Sequence, residues 1–185
     1  MDITEFFVSI KIPVTIFHVL SVILGMGGAL ISDLLFSFFS KDKKLSKTEL
    51  STLAILSSIV FYSLIFIIIS GLFIFLSDIA KYLNSAKFLA KMSILAVLLV
   101  NGYVLNKSVW SHLFKKDFFI SPREKNVRRF AFTCGAVSVI SWLSVATLGV
   151  SNSLNMSYAS IMLIYLTIIF FGILVALFVE KKEFN

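Results

Sequence analysis

The sequence predicts an all-α integral membrane bundle, one domain of five transmembrane helices, and three observations predict it. Hydrophobic residues make up 58% of the 185-residue chain and charged residues only 15%, where a soluble domain is about 45–50% apolar and about 25% charged. Too few charged side chains remain to cover a water-soluble fold of this size. Five uncharged or nearly uncharged runs each reach the roughly 20 residues that a helix needs to cross a bilayer's hydrocarbon core. Capping and turn residues stand between the runs. Other classes are excluded on the same grounds: a single cysteine closes no internal disulfide, and the hydrophobicity is too high for disorder.

The first span covers residues 12–39 and is interrupted only by His18 and Asp33. It does not read as a cleaved signal peptide. Its N-terminal flank sets Asp2 and Glu5 against Lys11, its apolar stretch is too long, and no small-x-small cleavage site follows. The second span, 50–76, carries no formal charge, and Ser46 with Glu49 has the spacing of a capping box at its start. Residues 77–85 are expected to lie along the outer interface, anchored by Lys81 and Tyr82. The third span, 88–109, is capped by Asn84 or Ser85 and contains Lys91 and Lys107. Ser121 and Glu124 repeat the capping spacing before the fourth span, 130–150, with Pro122 in the favoured first helical position. That helix therefore starts near Pro122, its first two turns basic and outside the lipid. It ends near Gly149, with Ser151 and Asn152 just beyond. Asn155 or Ser157 caps the fifth span, 158–179. Short loops predict that helices adjacent in sequence pack as antiparallel neighbours.

Charge gives an orientation. Lys41, Lys43, Lys44, Lys47, Lys115, Lys116, Arg123, Lys125, Arg128, Arg129, Lys181 and Lys182 lie on the side of the C-terminus, twelve in all. Lys11, Lys81 and Lys87 lie on the other side, while Lys91 and Lys107 fall within a span. The positive-inside rule then places the N-terminus outside and the C-terminus in the cytoplasm. The net charge of +7 is thereby split among three juxtamembrane segments, which suit anionic headgroups rather than nucleic acid. The lipid bilayer is the main expected partner; a second copy of the chain or another membrane protein stays open. No phosphate-binding loop, Cys/His metal cluster or nucleophile elbow is present.

Ionisable groups inside a span are costly and mark function by default. His18 and Lys91 fall at similar depth near the outer ends of spans one and three, and Asp33, Asn106 and Lys107 near the cytoplasmic ends, with Asn101 between. At about 100° per residue, Ser21, Gly25, Ala29 and Ser32 all project within about 60° of His18. Ser21, Gly25 and Ala29 form a small-xxx-small ladder. On span three Asn101, Gly102 and Asn106 share a side with Lys91, whereas Lys107 points the other way. Spans one and three are thus expected to face each other, or a shared cavity, through these stripes. Plainer roles stand beside that reading. Lys91 is shallow enough to snorkel, Lys107 and His112 suit the interface, and Asp33 suits a wetted helix end or a hydrogen bond to Asn106. The asparagines serve equally as interhelical glue, and Cys134 reads as a small core residue.

His18 followed by Gly28 and Phe36, with Lys87, Lys91, Asn101 and Gly102 on the third span, resembles two bacterial families. These are the small membrane-bound protoporphyrinogen oxidases and the copper-resistance D-type proteins. The likeness covers roughly the first three spans. It departs at Met26 and Gly27, where the oxidases carry an aromatic, and at Leu34, where they carry a basic residue. The chain is closer still to uncharacterised bacterial multi-pass membrane proteins that share the first-helix and third-helix patterns. The resemblance implies a haem held by His18 and Lys91, with His18 on the iron, in the inner membrane.

Two functional classes follow. One is a haem-binding redox protein in which His18 supplies an axial nitrogen, the glycine face admits the macrocycle, and Lys91 is a second ligand or propionate partner. The other has no cofactor and is a small transporter or an accessory subunit, with Asp33, Asn101 and Asn106 lining a polar path. No matching pair of broken helices signals inverted repeats. Whether the chain is an enzyme stays open.

Overall fold

In the computed structural model the chain is described over residues 3–115, 118–151 and 155–184. Asp2, Lys116 and Asn152, named above, lie outside them. Among the described residues the elements are α1 (Ile3–Ser9), α2 (Lys11–Phe39), α3 (Lys47–Leu76), α4 (Ile79–Leu83), α5 (Ala86–Leu113), α6 (Lys125–Val150) and α7 (Tyr158–Phe184). Short 3-10 turns occupy Ser40–Asp42 and Pro122–Glu124. The architecture is all-helical, and α2, α3, α5, α6 and α7 are long and apolar enough to cross a membrane. These five have 26 to 30 residues each. At 1.5 Å per residue that is about 39–45 Å, more than the roughly 30 Å hydrocarbon core requires. Each helix therefore runs past its apolar stretch, α5 to Leu113 and α7 to Phe184.

The caps follow the sequence in most places. Ser46 accepts from the Glu49 amide at 3.2 Å while the Glu49 carboxylate accepts from the Ser46 amide at 2.6 Å, a complete capping box. Ser85 caps α5 through the Phe88 amide, and Ser157 accepts from the Ser160 amide ahead of α7. Asp78 caps the short α4 through the Lys81 amide. The second expected capping box does not form. Ser121 accepts from the Arg123 amide, closing a 3-10 turn, and Glu124 turns away to bind His112 and Lys115. The Lys115 ammonium and the His112 ring together offer that carboxylate more than one backbone amide does.

Sequence neighbours pack to different extents: α2 lies along α3, α5 along α6, and α6 along α7, whereas α3 and α5 meet through a few side chains. Phe75 stacks on Phe88 at 5.5 Å near one end, and Leu50 clusters with Val109 and Leu113 at the other. Two ties hold α5 to α6: Lys87 donates to the Ser151 carbonyl, and Asn101 Nδ2 donates to the Cys134 carbonyl at 3.0 Å. The α2–α3 pair meets the other three spans chiefly where α2 packs on α6.

That contact is built on the small-residue face of α2, whose buried positions are Ser21, Gly25, Gly28 and Ala29. A Cβ on Gly25 would lie 2.6 Å from Trp142 Cη2 and 3.1 Å from Ser63 Cβ, so the missing side chain admits the indole. Ala29, Ile67, Leu98 and Trp142 form the central core. At the end carrying the basic loops, Phe118 and Phe119 tuck under the bundle with Leu50, Val109, Leu113 and Ala131. Phe119 stacks on Phe184 at 5.4 Å between centroids and meets Phe36 at 5.9 Å. Aromatic rings thus close the basic end of the bundle.

Candidate polar cavity and the His18 environment

The gap left between α3 and α5 is a cavity of about 170 Å³. α2 contributes Ala29, Ser32, Asp33 and Phe36, and α5 contributes Asn101, Gly102 and Asn106. Ser57 of α3, Ser138 of α6 and both tryptophans, Trp110 and Trp142, complete its polar and aromatic wall. The small and polar faces of spans one and three therefore meet across a shared space rather than in direct contact.

Asp33 is its chemical centre. The carboxylate fits because α6 carries Gly135 opposite it, where a Cβ would stand 3.5 Å from Asp33 Oδ1. Asp33 Oδ2 is buried and accepts no hydrogen bond, from Asn106 or any other described group. No described cation pairs with it. A buried carboxylate without partners is unfavourable by several kcal/mol in general. Asn101 commits its amide nitrogen to the Cys134 carbonyl, which fixes its position on the cavity wall. Asn106 is exposed at the rim.

His18 lies toward the opposite end and faces α3. Its Nδ1 stands 2.9 Å from Ser70 Oγ, and the Ser70 hydroxyl donates to the Phe66 carbonyl. Ser70 therefore accepts from Nδ1–H, which assigns the proton to Nδ1 and leaves Nε2 as the acceptor. Gly71 seats the ring: a Cβ there would lie 3.4 Å from His18 Cε1. Lys91 is within electrostatic range of His18 and of Lys87. His18 and Lys91 thus interact electrostatically, while Asp33, Asn101 and Asn106 form a separate group around the cavity. The glycine face of α2 is occupied by protein: Trp142 and Ser63 lie against Gly25, and Val60 lies 3.1 Å from a Cβ on Gly28. Among the described residues no three His, Cys, Asp or Glu side chains are grouped to hold a metal ion.

The remaining candidates sit at the margins. Lys107 is exposed, with its ammonium 5.8 Å from the Tyr103 ring centre. His112 Nδ1 lies 2.6 Å from Glu124, which Lys115 also reaches at 2.7 Å. Hydrogen bonds from Lys115 first and His112 second hold the Glu124 carboxyl below its ordinary value. Sequence reasoning missed Trp142, Ser70 and Gly135, and it missed the buried pair of Arg128 and Glu180. Only the aromatic residue itself was a signal for Trp142; which glycine receives it is a property of the packing. Compared with known protein families, with curated proteins and with solved structures, the chain matches none.

Proposed function

We propose that the chain is a small membrane carrier in a bacterial cell membrane, with its N-terminus outside, its C-terminus cytoplasmic, and Asp33 as its working group. One observation carries the reading: a buried, unpartnered Asp33 oxygen in a cavity inside the span region. An intramembrane carboxylate held away from every described cation is poised to bind and release a solute or a proton. The surrounding hydroxyls and amides of Ser32, Ser57, Ser138 and Asn106 supply the hydrogen bonds that orient it. The twelve-to-three distribution of basic residues supports the orientation.

The test is flux in proteoliposomes enclosing a pH-sensitive dye, challenged in turn with small cationic, neutral and anionic solutes. The wild-type chain should move at least one class with an accompanying pH or tracer signal, and Asp33→Asn should abolish it. Flux that survives Asp33→Asn, or no flux with any class, overturns the reading.

A further inference from the structure

We infer that the Asp33 cavity takes an apolar monoamine, a single ammonium on an aromatic or aliphatic body, admitted sideways from the bilayer between α3 and α5. This rests on the reading of that cavity as the working site and adds the ligand's chemistry and its route.

The ligand class follows from the wall. One carboxylate oxygen awaits a donor, and no second acidic side chain lines the cavity, so one positive charge balances the site and two do not. Phe36, Trp110 and Trp142 stand in the same wall, and indole and phenyl faces attract an ammonium when water is excluded. Leu53, Leu64, Leu98 and Leu105 make up much of the rest, which favours an apolar body over a hydrated metal ion. A divalent cation would also leave one positive charge uncompensated beside the single carboxylate of this cavity.

The route follows from which lining residues are exposed. Ser57, Gly102 and Asn106 are the exposed ones among them, and they flank the gap left between the two places where α3 and α5 meet, Phe75 with Phe88 and Leu50 with Val109 and Leu113. Toward the basic end, Phe36 is backed by Phe119, Phe132 and Phe184. Toward the other end, Trp142 packs with Ala29, Ile67 and Leu98. Both axial directions are therefore plugged by apolar side chains, and the side is open. Gly102 contributes to the opening, since nothing lies within 4 Å of where its Cβ would be. Ser57 is ten residues from the start of α3 and Asn106 seven from the end of α5, so the mouth lies about 10–15 Å in from the helix ends. That is near the boundary of headgroups and acyl chains, where an amphiphilic amine concentrates with its charge toward the headgroups.

The chain has two tryptophans, and both line the cavity, so their fluorescence reports occupancy directly. The experiment titrates the full chain in lipid nanodiscs with benzylamine, and with neutral benzyl alcohol, against empty nanodiscs. Benzylamine should give a saturable change, and benzyl alcohol none. Asp33→Asn should weaken the amine by about tenfold or more, the loss of one charge-assisted bond. Equal responses to amine and alcohol, no saturable response, or an unaltered affinity in Asp33→Asn overturn the ligand assignment. Should Asp33→Asn misfold, the preference of the wild-type chain for amine over alcohol decides alone. Gly102→Phe tests the route in stopped flow: a slower approach to the same final signal supports it, and an unchanged rate overturns it. Binding without flux overturns the carrier reading and leaves this inference standing. Flux of an anionic or neutral solute without amine binding does the reverse.

Discussion

Arg128 and Glu180 meet inside the basic end of the bundle, the guanidinium Nε 2.8 Å from the carboxylate, with side chains only 3% and 1% exposed. The same guanidinium donates to the carbonyls of Phe118 and Phe119 at 3.3 Å, and it lies 5.0 Å from the ring centre of Phe184. Arg129 reaches the second carboxylate oxygen at 3.3 Å. The pair thus fastens α6, α7 and the preceding loop around the aromatic plug that closes the cavity's basic end.

Removing one partner leaves a charge buried without compensation, which costs about 3–5 kcal/mol. Glu180→Gln and Arg128→Met are each expected to destabilise the chain by that order, measured by unfolding in detergent micelles. The joint replacement Arg128→Met with Glu180→Leu removes both charges and should recover most of the loss. A double variant no more stable than the singles would show that the two residues do not act as a pair.

This pair also marks where sequence reasoning stops. The five spans were legible because hydrophobic length is a local property, and the capping box at Ser46 because its two partners are three residues apart. Arg128 carries the same charge as its topological neighbours, and nothing near it in sequence points to Glu180, 52 residues away. Asp33 was legible as costly from its place in an apolar run. That it lacks a partner depends on Gly135 of α6 and on the gap between α3 and α5, which no periodicity encodes. The two polar faces were legible, and of the two relations expected for them, direct facing or a shared cavity, the structure has the cavity.

Gly25 and Gly27 are two positions apart on α2 and should respond oppositely to the same change. A Cβ on Gly25 collides with Trp142, whereas nothing lies within 4 Å of one on Gly27. Gly25→Ala should cost about 1–3 kcal/mol through overpacking and shift the tryptophan emission. Gly27→Ala should be neutral or slightly stabilising, since alanine is the better helix former. Equal midpoints of unfolding for the two variants would contradict the packing of Trp142 on that face.

Glu124 links the end of α5 to the start of α6 through His112 and Lys115, and its folded-state pKa is depressed by them. A depressed carboxyl stabilises the folded arrangement at pH values above its ordinary value of 4.5 and loses that contribution as pH falls through the lower, folded value. Proteolytic resistance of the connection between α5 and α6 should therefore drop below about pH 4.5. Added salt should weaken it at neutral pH, because Lys115 is half exposed. Glu124→Gln should remove both dependences. A wild-type connection equally resistant at pH 3.5 and pH 7 would sink the link.

His18 gives the last prediction, because the two readings of the sequence diverge on it. Its Nδ1 proton is committed to Ser70, and the adjoining glycine face is occupied by Trp142, Ser63 and Val60. The chain purified after expression with added haem is therefore expected to show no Soret absorption that depends on His18. A Soret band lost in His18→Ala would instead establish ligation and require the α2–α6 contact at Gly25 to open. Ser70→Ala gives the complementary result without any cofactor. It removes the acceptor of Nδ1–H, so the ¹⁵N spectrum of the imidazole should change from one dominant tautomer to a mixture. The loss of that bond should cost about 1–3 kcal/mol if the ring stays enclosed, and less if water reaches it. A tautomer ratio untouched by Ser70→Ala would mean that the ring takes its orientation from elsewhere, with the Ile67 backbone the next partner to test.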